Sequence, residues 1–138
     1  MIFGLAAAPL VLAAAYYVFL GHRDDYLGHY LAGFGATLGT LALAVSALPT
    51  ARFARLLGPV AASVTMICIA LGAICESTLY RIAKFDEVDF CNQSLGAVMA
   101  GMGAMTAWKH QMPRDAWLWC TLAWSALMVA GGYYFAFR

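Results

Sequence analysis

The sequence predicts an all-α protein: a polytopic membrane bundle of five transmembrane helices in a single domain, residues 1–138. Hydrophobic residues make up 64% of the chain and charged residues 11%, whereas soluble domains average roughly 45–50% and about 25%. Five apolar runs are each close to the about 20 residues that a helix needs to cross a bilayer. The connections between these runs are too short to form a domain outside the membrane.

The predicted spans, in chain order, are 2–20, 26–48, 60–80, 89–108 and 116–137. The first lacks the positively charged start of a signal peptide, so we expect it to be retained. Pro49 closes the second span, and Gly58-Pro59 is taken to precede the third, because proline disfavours helix at the residue before it. The fourth span starts at Asp89, and the fifth follows the polar connection after Trp108.

Polar residues concentrate where the third span ends and the fourth begins. With five alternating spans, the start of the second span lies at the same end of the bundle. Ionisable groups within a membrane are costly and therefore indicate function. The candidate ligand-binding residues are Asp25, His29, Glu76, Asp86, Asp89, Asn92 and Gln93.

Several of these residues also have a purely structural interpretation. Asp25 and His29 are four apart and share a helical face, so the carboxylate could simply orient the imidazole. Asp86 and Asp89 could cap the fourth helix and favour its dipole. Glu76 is harder to explain in this way, because the residues four before and four after it are Gly72 and Tyr80.

Small residues predict which helices pack together. Gly35 and Gly39 form a GxxxG motif in the second span, and Gly96 and Gly101 belong to a small-residue surface on the fourth. Such surfaces allow helix backbones to approach closely in a membrane. We therefore expect spans two and four to pack against each other through these glycines.

The middle of the chain, 25–101, resembles the VanZ-like membrane proteins, with some likeness to the YjdF-like ones. Those proteins carry an Asp and a His four apart before an aromatic stretch, and later a Glu followed by a D-x-x-D-x-x-x-N-x-x-G-A pattern. The first motif is matched by Asp25, His29, Tyr30 and Phe34, and the second by Glu76, Asp86, Asp89, Gln93, Gly96 and Ala97. The chain departs from the pattern where Gln93 replaces the usual Asn, with Asn92 one position early.

The resemblance implies a small helical bundle in the bacterial cytoplasmic membrane, with its polar groups converging at one end. It supplies no established reaction, so whether the protein is an enzyme stays open. No cofactor is predicted. The net charge of +1, without a basic and aromatic patch, gives no indication of nucleic-acid binding.

Two classes of function fit these observations. The first is a site for an amphiphile, such as a membrane lipid with a phosphate headgroup, with Glu76, Asp86 and Asp89 as candidate ligands of a divalent cation. The second is an accessory or assembly subunit of a larger membrane-protein complex, in which the polar cluster holds the helices together. A solute carrier ranks third, because the opposite half of the bundle offers few polar groups.

Overall fold

The computed structural model describes residues 2–19, 21, 23–78, 86–109, 113 and 115–136. These residues form five α-helices and one short 3-10 helix, and they contain no β-strand. The α-helices are α1 (Ile2–Phe19), α2 (Asp24–Ser46), α3 (Phe53–Thr78), α4 (Glu87–Ala107) and α5 (Ala116–Ala136), and the 3-10 helix is Thr50–Arg52. The predicted all-α class with five helices is confirmed for this part of the chain.

Most helix bounds agree closely with the predicted spans, but the start of α3 was wrong. The helix begins at Phe53 and contains Pro59, whereas the prediction began at residue 60. Phe53, Leu57 and Ala61 are buried at intervals of four residues, so the first turns of α3 have an apolar face to pack. Arg52 and Arg55 remain exposed. The predicted span ends at 20, 80 and 137 lie outside the described residues.

Helix α2 is the centre of the bundle and contacts each of the other four helices. The largest side chains of its buried stripe have almost no exposed surface, and they are Tyr30, Phe34, Leu38, Leu41 and Val45. Their spacing of three or four residues places them on one helical face. A second, small-residue face of α2 is buried as well, because other helices approach it closely.

The close neighbour of the GxxxG motif is α5, and in this respect the prediction was wrong. Gly35 and Gly39 both lie against Ser125 of α5, whose buried hydroxyl donates a hydrogen bond to the Gly35 carbonyl oxygen. Gly28 continues the same face of α2 and meets Gly132 of α5. A spacing pattern identifies a face that permits close approach, but not the helix that will occupy it.

Spans two and four do pack together as predicted, through a different set of contacts. Gly96 of α4 lies against the backbone of Tyr30 and Phe34 in α2. Gly101, which was also expected to face α2, instead lies against Thr65 of α3. The small face of α4 is therefore divided between two neighbouring helices.

Two segments of the described chain, Asp24–Ser46 and Thr50–Thr78, are long and apolar enough to cross a membrane. In their most apolar parts, 67% of the first is buried inside the bundle but only 22% of the second. The outer face of α3 accordingly exposes large apolar side chains, among them Met66, Ile67 and Ile74. Exposed apolar surface of this extent indicates contact with lipid or with another protein.

We predict opposite effects for alanine at two adjacent glycines of α5. A methyl group at Gly132 would lie 2.6 Å from the Ala32 backbone nitrogen and 2.8 Å from the Gly28 carbonyl oxygen. Gly132→Ala should therefore lower the free energy of unfolding in detergent by about 1–3 kcal/mol. At Gly131 the nearest such atom is Leu31 Cδ1 at 3.9 Å, so Gly131→Ala should be neutral or stabilise by up to about 1 kcal/mol. Equal stability of the two variants would contradict this packing.

Candidate functional site

Contacts between distant side chains bring the start of α2, the start of α4 and the end of α1 to one end of the bundle. The Tyr16 hydroxyl donates to Asn92 Oδ1 over 2.9 Å, which joins α1 to α4. His29 Nε2 lies 3.4 Å from Asp89 Oδ2, which joins α2 to α4. The predicted convergence of polar groups is therefore present in the fold.

The His29–Asp89 pair is the most enclosed ionisable contact at this end. The side chains of His29 and Asp89 are 22% and 17% exposed, respectively. The imidazole carries a positive charge only when it is protonated, so the contact is an ion pair only in that state. Asp89 Oδ1 is buried and has no hydrogen-bond partner among the described residues.

Asp25 does not orient His29, as its spacing had suggested. Its carboxylate accepts two hydrogen bonds from Arg23, at 2.7 and 3.0 Å, and the Arg23 guanidinium stacks 3.8 Å over the Tyr26 ring. Hydrogen bonding to Asp25 raises the pKa of Arg23. Both side chains of the ion pair are more than 40% exposed, so water screens the pair and it contributes little to stability. Asp25 thus belongs to the start of α2 and not to the enclosed site.

Asp86 is the N-cap of α4. Its Oδ1 accepts from the backbone nitrogens of Val88 and Asp89, at 2.8 and 3.3 Å. These nitrogens belong to the first turn of the helix, where no carbonyl of the helix can reach them. The structural interpretation of Asp86 is therefore confirmed.

The candidate cation site formed by Glu76, Asp86 and Asp89 is not assembled. In the part of the chain that the structure describes, no three His, Cys, Asp or Glu side chains are grouped so that they could hold a metal ion. One carboxylate oxygen of Asp86 accepts a hydrogen bond from the first turn of α4, and one of Asp89 contacts His29. The divalent cation of the sequence-based hypothesis has no ligand set here.

Asn92 also has a structural role. It is 8% exposed and accepts the hydrogen bond from Tyr16, whose ring stacks on Tyr30 with 5.6 Å between centroids. The hydrogen bond from Tyr16 to Asn92 and the stacking of Tyr16 on Tyr30 hold α1 against the α2–α4 interface. Its partner at position 16 lies outside the stretch that resembles the VanZ-like proteins, so the motif alone did not reveal this role.

A groove of about 340 Å³ runs along α2, between α3 and α5; we call it the α2 groove. Both outer helices pack against α2, but in the described residues they make little contact with each other. Small residues of α2 form the floor, from Gly28 through Ala32 and Ala36 to Thr40. This floor is about 18 Å long at about 1.5 Å per residue. Leu71 of α3 and Val129 of α5 stand on opposite walls.

Three of the predicted polar residues meet at one end of the α2 groove. His29, Glu76 and Gln93 all line it, and we call these three residues its polar end. Gln93 reaches the groove from α4 by passing between Gly33 of α2 and Gly72 of α3, where no larger residue would leave room for it. The polar end therefore combines side chains from three helices.

The α5 wall of the groove, which includes Gly132 and Tyr133, was not predicted. The last span matched no motif, and its tyrosines looked like residues that mark a membrane interface. The sequence of α2 did contain a pattern that indicates the groove floor. Small residues recur there at every fourth position, at Gly28, Ala32, Ala36 and Thr40. Such a stripe of small residues leaves open whether a helix or a ligand lies on it.

No protein-family model, curated protein or solved structure matches the chain. The resemblance to the VanZ-like proteins stays a prediction from short motifs. What the protein binds is therefore inferred from the α2 groove and from the polar groups that line it.

We predict that Asp86 acts through its capping oxygen and not through its charge. Asp86→Ala should lower the free energy of unfolding by about 1 kcal/mol, because two backbone donors of α4 lose their acceptor. Asp86→Asn keeps an oxygen at the same place and should retain most of the stability. Thermal unfolding in detergent measures both. A loss as large for Asp86→Asn as for Asp86→Ala would instead assign the effect to charge.

Proposed function

We propose that the protein is a VanZ-like, five-span protein of the bacterial cytoplasmic membrane that binds an amphiphile in the α2 groove. The observation that carries this proposal is the composition of the groove. Its polar end holds His29, Glu76 and Gln93, and an apolar channel leads away from them along α2. A ligand with a polar head and a hydrocarbon chain matches both parts.

The outer surface of the bundle supports the placement in a membrane. Besides the exposed face of α3, α5 exposes Trp119 and Leu127 with 71% and 56% of their surface. The described helices have 18 to 26 residues, close to the about 20 that cross a hydrocarbon core of about 30 Å. Two of them are by themselves long and apolar enough to cross a membrane. The other three pack against them and would cross the membrane as part of the same bundle.

The chemistry of the polar end favours direct recognition of a headgroup. A carboxylate, an imidazole and a primary amide offer several hydrogen-bond acceptors and donors within one small space. A phosphate headgroup would meet the Glu76 carboxylate without a divalent cation to bridge them, since the candidate cation site is not assembled. The phosphate headgroup of the sequence-based hypothesis stays a prediction.

An accessory subunit of a larger membrane complex is the second candidate. It is favoured by the outer face of α3, where Met66, Ile67, Leu71 and Ile74 are each more than half exposed. A partner helix could cover this face as well as lipid could. In that case the protein would be extracted together with a stoichiometric partner protein.

We predict that a bulky side chain on the groove floor removes the bound amphiphile. Ala36 is exposed within the α2 groove, so Ala36→Phe should fill the channel without disturbing the helix contacts. The matched control is Ala70→Phe, at an exposed position of α3 outside the groove. Mass spectrometry of the detergent-extracted protein should find an amphiphile retained by the wild type and by Ala70→Phe, but lost from Ala36→Phe.

Two results would count against amphiphile binding. One is equal retention by the two phenylalanine variants, which would place the lipid on the outer surface. The other is a stoichiometric partner protein with no retained amphiphile, which would favour the accessory-subunit function.

We also predict which positions share a side of the membrane. Arg23→Cys and Glu87→Cys, near the polar end, should react alike with an impermeant thiol reagent applied to intact cells. Ala51→Cys and Lys109→Cys, at the other end, should give the opposite result. The four native cysteines must first be replaced by alanine, because Cys91 and Cys120 are exposed free thiols. Equal labelling of Arg23→Cys and Ala51→Cys would contradict five membrane spans.

A further inference from the structure

The charge of the polar end limits what headgroup it can hold. Glu76 is half-buried where it lines the α2 groove, and no hydrogen bond or ion pair to it is present among the described residues. Asp25, Glu76 and Asp86 all lie close enough to Asp89 to interact with it electrostatically. The described part of this end is therefore rich in carboxylates.

Positive groups do not balance these acids within the described residues. No Lys or Arg of that part lines the α2 groove, and Arg23 is already bound to Asp25. The nearby imidazole of His29 contacts Asp89. A carboxylate in an enclosed apolar groove is costly unless a positive charge or several donors approach it.

The remaining groups of the polar end suit a positively charged head. When it is neutral, the His29 imidazole offers one ring nitrogen as an acceptor, and the Gln93 amide oxygen is a second acceptor. Tyr133 also lines the α2 groove. The carboxylate and the acceptors interact more favourably with a cation than with an anion.

The size of the channel limits the apolar part of the ligand. The whole α2 groove, including its polar end, has a volume of about 340 Å³, at the lower end of the about 300–1,000 Å³ that is usual for ligand pockets. Val129 and Leu71 confine it on both sides of a floor made of small residues. One hydrocarbon chain fits this space better than the two chains of a bilayer phospholipid.

We propose that the ligand of the α2 groove is an amphiphilic cation, with an amine or quaternary ammonium head at Glu76 and one hydrocarbon chain along α2. This inference rests on the proposed amphiphile binding and deepens it by giving the headgroup its charge. Glu76 neutralises the head, while Ala32, Ala36 and Thr40 line the path of the chain.

Two probes with the same chain test the sign of the headgroup. The wild-type protein in dodecyl maltoside micelles is titrated with dodecyltrimethylammonium or with dodecyl phosphate, and occupancy is read by native mass spectrometry. Half-saturation should need an about tenfold lower micellar fraction of the ammonium probe, the size of effect typical of a hydrogen-bonded or paired charge. Glu76→Gln should abolish this preference, whereas Glu87→Gln, at an exposed position of α4 outside the groove, should retain it.

The outcomes separate this inference from the proposed function. If dodecyl phosphate binds at least as tightly as the ammonium probe and Ala36→Phe removes it, the groove binds amphiphiles but the inferred charge is overturned. If Ala36→Phe reduces the binding of neither probe, both the inference and amphiphile binding in the groove fail. Should Glu76→Gln not fold, the comparison of the two probes on the wild type still decides the sign.

Discussion

The close approach of α2 to its neighbours is the constraint on which the rest of the structure depends. In a membrane, lipid is as apolar as the side chains, so helices associate through packing and hydrogen bonds and not through exclusion of water. Helix α5 comes into van der Waals contact with α2 at Gly28, Gly35 and Gly39, where a side chain would block it. In the same way, α4 contacts the backbone of Tyr30 at Gly96. Helices α3 and α5 both pack against α2 but make little contact with each other in the described residues. A strip of the α2 surface between them is therefore left uncovered. The α2 groove is this strip.

The buried polar groups divide into two kinds according to their partners. Ser125 and Asn92 are buried and each makes a hydrogen bond to another helix, which is how a polar group inside such a bundle stabilises it. Asp89 Oδ1 is buried without a hydrogen-bond partner among the described residues, and so are other polar atoms of the bundle, such as the Thr37 hydroxyl. A polar group that is enclosed without a partner lowers stability. The half-buried Glu76 also has no hydrogen bond or ion pair there, and it lines the α2 groove, where the proposed ligand would supply a partner.

The sequence predicted the helices and the three residues of the polar end, and its failures have physical reasons. Apolar runs identify helices well, and His29, Glu76 and Gln93 were recognised because polar groups are conspicuous in such runs. Asp25 and Asp86 were assigned to the same site but satisfy local groups instead, Arg23 for one and the first turn of α4 for the other. Local hydrogen bonds of this kind compete with any long-range site. The partner of the GxxxG motif, the early start of α3 and the α5 wall depend on three-dimensional packing, which spacing alone does not encode.

The position of the α2 groove determines how a ligand can reach it. Its walls, α3 and α5, also carry exposed apolar side chains, such as Met66 and Trp119. A hydrocarbon chain that arrives through lipid therefore stays in contact with apolar surface until it lies on the small residues of α2. We therefore expect the head of the proposed ligand at the end that holds Glu76. Away from that end the described lining offers little besides the Cys68 thiol and the Thr40 hydroxyl, which already donates to the Ala36 carbonyl oxygen. In the proposed complex, the shape of the groove sets the orientation of the ligand, and the Glu76 carboxylate sets the charge of its head.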